Sequence, residues 1–313
     1  MLMVILVCKV YKYSAGVEMQ FYYYAALFGV GAVSVFASQK YSRSTKTYYD
    51  ILIYTLLTGV MACGVFAVSA GFKFTLDARI FMYAAVYAIA AFIANSASIP
   101  IYRYMGIAEA NVCRSSISLA VISVSGYIIF SEKVTVVSVI RILLMILATL
   151  AVYFGHKDIQ NEKNKDKKAM GIGIFICVVV SFSGLLATVT SKAFAADERV
   201  SDTNSLFFFT NVIMIVISLI FVLAFKTAGK ANAASDKLKL WQYGMIFLTT
   251  LASNIASLLQ VLILETGNVS MYAPLSGALN LLAAQTVSVL YREKIKPLPL
   301  LLAISAVILG IFE

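Results

Sequence analysis

The sequence predicts an all-α membrane protein with ten transmembrane helices, arranged as two inverted five-helix repeats. Composition is the first observation: of 313 residues, 61% are apolar and 13% are charged, and the mean hydropathy is +0.89. A water-soluble domain has roughly a quarter of its residues charged, so a soluble enzyme is excluded. The second observation is a series of ten apolar runs, and the third is a set of short sequence markers that occur in both halves of the chain.

The ten apolar runs are each close to the length of about 20 residues that a membrane-spanning helix needs. Only helices satisfy the backbone polar groups of so many separate segments within lipid, so each run is expected to be an α-helix. Short polar segments separate the runs, which cover residues 21–38, 50–71, 79–103, 107–130, 135–154, 170–191, 205–225, 241–264, 269–290 and 298–312.

Residues 1–18 form an N-terminal extension that does not fit this pattern. Residues 1–8 are apolar but too short to span a bilayer, and residues 9–18 are polar. The extension could be a signal-like segment, an interfacial segment or the product of a start codon assigned too early. We favour the early start codon, because Met19 lies directly before the first complete span.

The basic residues predict the orientation of the chain. Most lysines and arginines lie in the segments that follow odd-numbered spans, including a charged linker at 155–168. Cytoplasmic loops carry the excess of positive charge, so the linker is expected in the cytoplasm and both termini outside. This pattern also accounts for the net charge of +10 without nucleic-acid binding.

Three markers recur in the same order in both halves. The sequence Asn95-Ser96-Ala97-Ser98 in the third span corresponds to Asn254-Ile255-Ala256-Ser257 in the eighth, and they are followed by the pairs Gly106 and Gly267, and Glu132-Lys133 and Glu293-Lys294. Each half holds five spans, at 19–154 and 169–313. Because five is odd, the second half must enter the membrane in the opposite direction, which makes an inverted repeat.

These features resemble the drug/metabolite transporter superfamily, specifically its EamA-like ten-helix branch. The similar residues are Ser131-Glu132-Lys133 and Arg292-Glu293-Lys294 before the last span of each half, Phe28-Gly29 with Lys40, and Gly106. The resemblance covers residues 19–313 and implies a solute carrier in a bacterial cytoplasmic membrane. It further implies a central cavity lined by the first, third and fourth spans of each half.

Polar side chains inside the spans are the candidate substrate-binding residues. Arg114 lies about two turns into the fourth span, and a guanidinium suits a carboxylate or phosphate; the alternatives are snorkelling to the interface or pairing with Glu109. Asn95 and Asn254 must find polar partners, either a substrate or a neighbouring helix. The same argument applies to Gln260 and Asn280, and aromatic contact is expected from Tyr272.

Charged residues near the span ends are the candidate gating residues. Lys40 and Lys192 end the first span of each half, where they either gate the cavity or snorkel to the headgroups. All 15 carboxylates lie in loops or at span ends, with Glu109 and Glu265 closest to the spans. Proton antiport normally needs a buried titratable group, so obligatory proton antiport with an organic cation is not expected, whereas uniport, exchange and sodium coupling stay open.

The sequence therefore predicts a secondary transporter of a small polar metabolite, such as an amino acid or an organic anion, with export as the favoured direction. The alternative is a flippase of a lipid-linked sugar or another amphiphile, with Arg114 and Lys40 as the headgroup site. No HExxH, GxSxG or paired-aspartate motif occurs inside the spans, so an enzyme is not expected. No cofactor and no metal site are expected, and a homodimer is left open.

Overall fold

The computed structural model describes residues 16–45, 47–129, 131, 135–155, 165–200, 202–227, 238–266, 269–291 and 297–311. These residues form α-helices joined by short connections, with no strand among them. In chain order the helices are α1 (Gly16–Ser42), α2 (Tyr48–Ser69), α3 (Ala78–Tyr104), α4 (Ile107–Ile129), α5 (Val136–Gly155), α6 (Lys165–Ala196), α7 (Thr203–Thr227), α8 (Leu240–Thr266), α9 (Val269–Leu290) and α10 (Pro297–Ile311).

Each predicted apolar run coincides with one of these helices. Within the described residues, six helical segments are long and apolar enough to cross a membrane: Tyr48–Ser69, Ala78–Tyr104, Glu109–Ile129, Ala169–Ala196, Thr203–Thr227 and Leu240–Glu265. The prediction of an all-helical, multi-pass membrane protein is confirmed to that extent.

The two segments predicted to lie outside the repeats are only partly described. Of the predicted extension at 1–18, residues 1–15 lie outside the described residues, and α1 already begins at Gly16. Of the predicted linker at 155–168, residues 156–164 lie outside them. Helix α5 ends at Gly155 and α6 begins at Lys165, so helical structure occupies both ends of that linker.

Side-chain caps define where several helices begin. Thr47 and Asp50 form a capping box at α2: the Asp50 backbone N–H donates to Thr47 Oγ1 (3.3 Å) and the Thr47 N–H donates to Asp50 Oδ2 (2.9 Å). Asp77 caps α3 by accepting from the Arg79 backbone N–H at 2.7 Å. Such caps satisfy N–H groups that have no partner within the helix, and they fix where α2 and α3 begin.

The packing joins helices α1–α5 (the first half) to helices α6–α10 (the second half). The first helix of the second half, α6, packs on α3 and α4. In the same way, the first helix of the first half, α1, packs on α8 and α9. The pairs α2–α7, α4–α9 and α5–α10 also join the two halves. The pairs named here are unchanged when each helix is exchanged for the helix five places away.

Two glycines allow helices of different halves to approach closely. A Cβ atom at Gly59 of α2 would lie 2.9 Å from Ile215 Cγ1 and 3.2 Å from Met214 Cε of α7. A Cβ atom at Gly31 of α1 would lie 3.3 Å from Asn280 Oδ1 of α9. Larger residues at these positions would push the paired helices apart.

The outer surface of the bundle is apolar. On α5, the exposed large side chains recur every three or four residues along one face: Val136, Val139, Ile140, Leu143, Ile146, Leu147 and Leu150. Soluble proteins rarely expose a continuous apolar stripe of this length, so this face fits contact with lipid.

Candidate substrate cavity

A cavity of about 330 Å³ lies inside the bundle, lined by side chains from both halves. Its wall combines small apolar residues with hydroxyl groups and carboxamides. Six carboxamide side chains reach it: Asn95 of α3, Asn111 of α4, Asn211 of α7, Asn254 and Gln260 of α8, and Asn280 of α9. Such a wall offers many hydrogen-bond donors and acceptors and very little charge.

All six predicted substrate-binding residues line this cavity: Arg114, Asn95, Asn254, Tyr272, Asn280 and Gln260. Substrate binding by them stays a prediction, but the structure brings them to one place. The first, third and fourth helices of each half, which were expected to line the cavity, all contribute to its wall, and so do two helices that were not named, α2 with Thr58 and α7 with Asn211.

Arg114 is the one charged residue among the described residues of the lining. Its side chain is exposed within the bundle, and no described residue forms an ion pair or hydrogen bond with its guanidinium. The alternative of an ion pair with Glu109 is therefore not found. The Arg114 backbone carbonyl accepts a hydrogen bond from Ser181 Oγ of α6 at 3.3 Å, which anchors this part of α4.

Three of the asparagines are held against their own helices. In Asn111, Asn211 and Asn254, Nδ2 donates to the carbonyl oxygen four residues earlier at 2.7–2.8 Å. A carboxamide has two N–H donors and a carbonyl acceptor, so each retains one N–H and its oxygen for another partner. The orientation of these groups is thus set before any ligand arrives.

Two of the remaining three amides contact a neighbouring helix as well as lining the cavity. Gln260 Nε2 donates to Thr188 Oγ1 of α6 at 3.1 Å, and Asn95 Nδ2 lies 3.6 Å from Met214 Sδ of α7. The interpretation of these amides as contacts between helices is therefore supported, and it does not compete with a role in the cavity.

Sequence reasoning missed Asn111 and Asn211. Asn111 lies three residues before Arg114 on α4 and so faces nearly the same side of the helix. Asn211 lies in the interior of an apolar span, where the argument used for Asn95 applies equally. In both cases a polar side chain within an apolar span was the signal that could have identified the residue. Asn211 was passed over because α7 was not expected to reach the cavity.

The predicted gating lysines lie outside the cavity lining. Lys40 Nζ, at the end of α1, is 5.9 Å from the ring centroid of Phe36 and 5.7 Å from that of Trp241 on α8. Lys192 Nζ, near the end of α6, donates to the Leu264 carbonyl oxygen at 2.9 Å. Lys40 therefore contacts the beginning of α8, and Lys192 contacts its end.

The predicted gating carboxylates also lie away from the cavity. Glu109 is in the first turn of α4, and Glu265 is exposed at the end of α8. No cluster of three or more His, Cys, Asp or Glu side chains that could hold a metal ion occurs in the described part of the chain. Gating by these residues stays a prediction.

A polar junction outside the membrane-spanning segments connects the α2–α3 loop to the start of α7. Asp202 accepts from the Ser205 backbone N–H (3.1 Å) and from Thr75 Oγ1 (2.9 Å), and the Thr75 N–H donates to Ser205 Oγ (2.8 Å). Burial alone would raise the pKa of Asp202, but the hydrogen bonds from Ser205 and Thr75 outweigh it and hold the pKa below its ordinary value. The junction joins the first half to the second at one end of the bundle.

Comparison with known proteins bears on the fold. No family model and no curated protein matches the sequence. A solved structure described only as "Crystal structure of protein" superimposes with a TM-score of 0.59 at 13% identity, covering 91% of this chain and 96% of that chain. At this identity the likeness shows a shared fold over nearly the whole chain.

Proposed function

We propose that the protein is a secondary transporter of a small polar metabolite, such as an amino acid or an organic anion, in a bacterial cytoplasmic membrane. The observation that carries this proposal is the internal cavity, which is lined by both halves of an otherwise apolar bundle and contains, among six carboxamides, an arginine whose guanidinium is paired with no described residue. Polar side chains are costly within lipid. Their convergence on a space large enough for a metabolite fits a passage for polar solutes.

The proposed mechanism is alternating access between two inverted five-helix repeats, each crossing the membrane five times. Its support is the set of main helix pairs between the halves, which is unchanged by exchanging the two halves, together with the matched Asn95 and Asn254 in one cavity. Inverted repeats with a binding site between them are common in secondary transporters. The two repeats would rock around the cavity and expose it to one side at a time.

The alternative function, a flippase for a lipid-linked sugar, requires a basic headgroup site. Arg114 and Lys40 were the candidates for it, but Lys40 lies against Phe36 and Trp241 outside the cavity lining. One arginine with many amides suits a soluble metabolite better than a large phosphorylated headgroup.

Ligand-dependent thermal stability of the purified protein tests the proposal. The probes are amino acids, organic anions, nucleotide sugars and cationic drugs, and a ligand at 100 times its Kd should stabilise by about 2.7 kcal/mol. Uptake of each stabilising compound into proteoliposomes then tests transport. Stabilisation by none of the soluble probes, combined with scrambling of a fluorescent lipid-linked sugar in the same vesicles, would replace the transporter by the flippase.

A matched pair of arginine variants separates the cavity from general effects of charge. Arg114→Ala is expected to lose the stabilisation by an anionic ligand. Arg79→Ala, at the beginning of α3 and outside the lining, is expected to retain it. Retention in both variants would keep the transporter and remove Arg114 from its site.

A further inference from the structure

We infer that the cavity takes organic monoanions and exchanges one for another, so that the carrier returns across the membrane only when loaded. This inference rests on the proposed transport function and adds the charge class of the substrate and the mode of coupling. It follows from the balance of charge in the cavity wall.

The wall carries one formal positive charge and no negative one among its described residues. The guanidinium of Arg114 has no described partner, and the nearest polar residues of α4, Asn111 and Ser115, are neutral. The fixed carboxamides of Asn211 and Asn254 offer dipoles but no compensating charge. A ligand with one carboxylate or one phosphodiester, and so a single negative charge, would neutralise the cavity through a two-pronged guanidinium contact.

The same balance disfavours cations and zwitterions. A ligand ammonium group would meet only hydroxyl and carboxamide oxygens in this wall, with no carboxylate to pair with it. Burying an ammonium without a counter-charge is costly. The remainder of the substrate is therefore expected to be neutral and rich in hydroxyl or amide groups that match the carboxamides.

The charge of Arg114 also determines which form of the carrier can change sides. Closing the empty cavity would remove water from a guanidinium that no described residue neutralises, which is costly. Closing it around a monoanion buries a neutral, hydrogen-bonded pair instead. The loaded carrier therefore reorients much faster than the empty one, and the observable result is one-for-one exchange that moves no net charge.

The binding test uses pairs of probes with nearly the same skeleton and different charge. Gluconate is compared with sorbitol, lactate with propane-1,2-diol, and N-acetylglycine with N-acetylglycinamide; glycine and choline represent zwitterions and cations. At least one monoanion should bind ten times more tightly than its neutral partner, a difference of about 1.4 kcal/mol. Equal binding and transport of neutral, zwitterionic or cationic probes would overturn the inference while leaving the transporter intact.

The exchange test uses the monoanion that binds most tightly, labelled with ¹⁴C. Its uptake is measured into proteoliposomes that contain either the same unlabelled anion or sorbitol. Uptake should be at least tenfold faster with internal anion, and an imposed potassium diffusion potential should not change that ratio. Equal rates under the two loadings, or uptake driven by the potential, would overturn exchange. Transport of no probe of any charge by folded protein would remove the proposed function as well.

Variants of the arginine show whether its charge is responsible. In Arg114→Lys the charge remains, so the acceleration by internal anion should persist. In Arg114→Gln the cavity loses the charge that binds the anion, so uptake should fall under both loadings and internal anion should no longer accelerate it, whereas Arg79→Gln serves as the control that keeps the wild-type ratio. Because each rate is normalised to the amount of folded protein in the vesicles, a lower yield of folded variant does not imitate the effect. A wild-type ratio in Arg114→Gln would overturn the inference.

Discussion

The junction at Asp202 should contribute more to stability than an ordinary helix cap. Asp202 and Asp77 each accept a hydrogen bond from a backbone N–H at the beginning of a helix, but Asp202 also accepts from Thr75 of a different loop. Loss of a cap costs about 1 kcal/mol. The hydrogen bond from Thr75 Oγ1 is exposed, and together with the one that Asp202 accepts from Ser205 Oγ it adds about 1 kcal/mol. We therefore expect Asp202→Ala to lower the free energy of unfolding by about 2 kcal/mol and Asp77→Ala by about 1 kcal/mol.

The pH dependence gives an independent test of the same junction. The pKa of Asp202 is lower in the folded protein than its unfolded value of about 3.9. A lowered pKa means that the ionised carboxylate stabilises the fold. That contribution is complete above the unfolded pKa and is lost as the pH falls through the folded pKa. The difference in stability between the wild type and Asp202→Asn should therefore be constant near neutral pH and should shrink below about pH 4.

Buried thiols provide the assay. Cys113 and Cys177 are fully buried, so a thiol-reactive dye should label them only when the bundle unfolds. Unfolding in detergent is followed near neutral pH by dye fluorescence for the wild type, Asp202→Ala and Asp77→Ala. Wild type and Asp202→Asn are compared across the pH series by far-UV circular dichroism, because thiols react too slowly with such a dye in acid. Equal losses in the two alanine variants, or a difference between wild type and Asp202→Asn that does not change with pH, would refute the reasoning.

Three further substitutions test local contacts. Gly59→Val should destabilise the α2–α7 contact by about 1–3 kcal/mol through overpacking, whereas Gly64→Val, with nothing within 4 Å of its Cβ position, should change the thermal midpoint little; equal effects would contradict the close approach. Thr47→Ala should cost about 1 kcal/mol in thermal unfolding by removing a cap, and no loss would contradict the capping box. Tyr87→Phe removes the hydrogen bond to Ser257 Oγ at 3.2 Å and should cost about 1 kcal/mol by the same assay; an unchanged midpoint would show that this bond contributes nothing.

Helix positions were predictable from the sequence because lipid imposes one rule on every span. A run of about 20 apolar residues must form a helix to satisfy its backbone, and the predicted run at 269–290 has the same bounds as α9. The predicted and observed bounds agree less well where polar residues continue a helix beyond the apolar run. Helix α6 begins at Lys165, five residues before the predicted start at 170, because apolarity marks the membrane and not the end of the helix.

The cavity was predictable in part, for the same reason. An amide or a guanidinium within an apolar span avoids lipid, so the sequence already suggested that Asn254 and Arg114 would face inward. It could not indicate that α2 and α7 also reach the cavity, because that depends on the contact at Gly59. The position of Lys40 depends likewise on the neighbouring end of α8, which periodicity within α1 does not reveal.

The single tryptophan of the chain lies where the two halves meet. Trp241 lies in the first turn of α8 in the second half, and its ring lies 5.7 Å from the ammonium group of Lys40 on α1 in the first half. Indole emission depends on the charge and polarity around the ring, so movement of α1 away from α8 would change its wavelength. The protein's own fluorescence is therefore a label-free optical signal for any separation of its two halves.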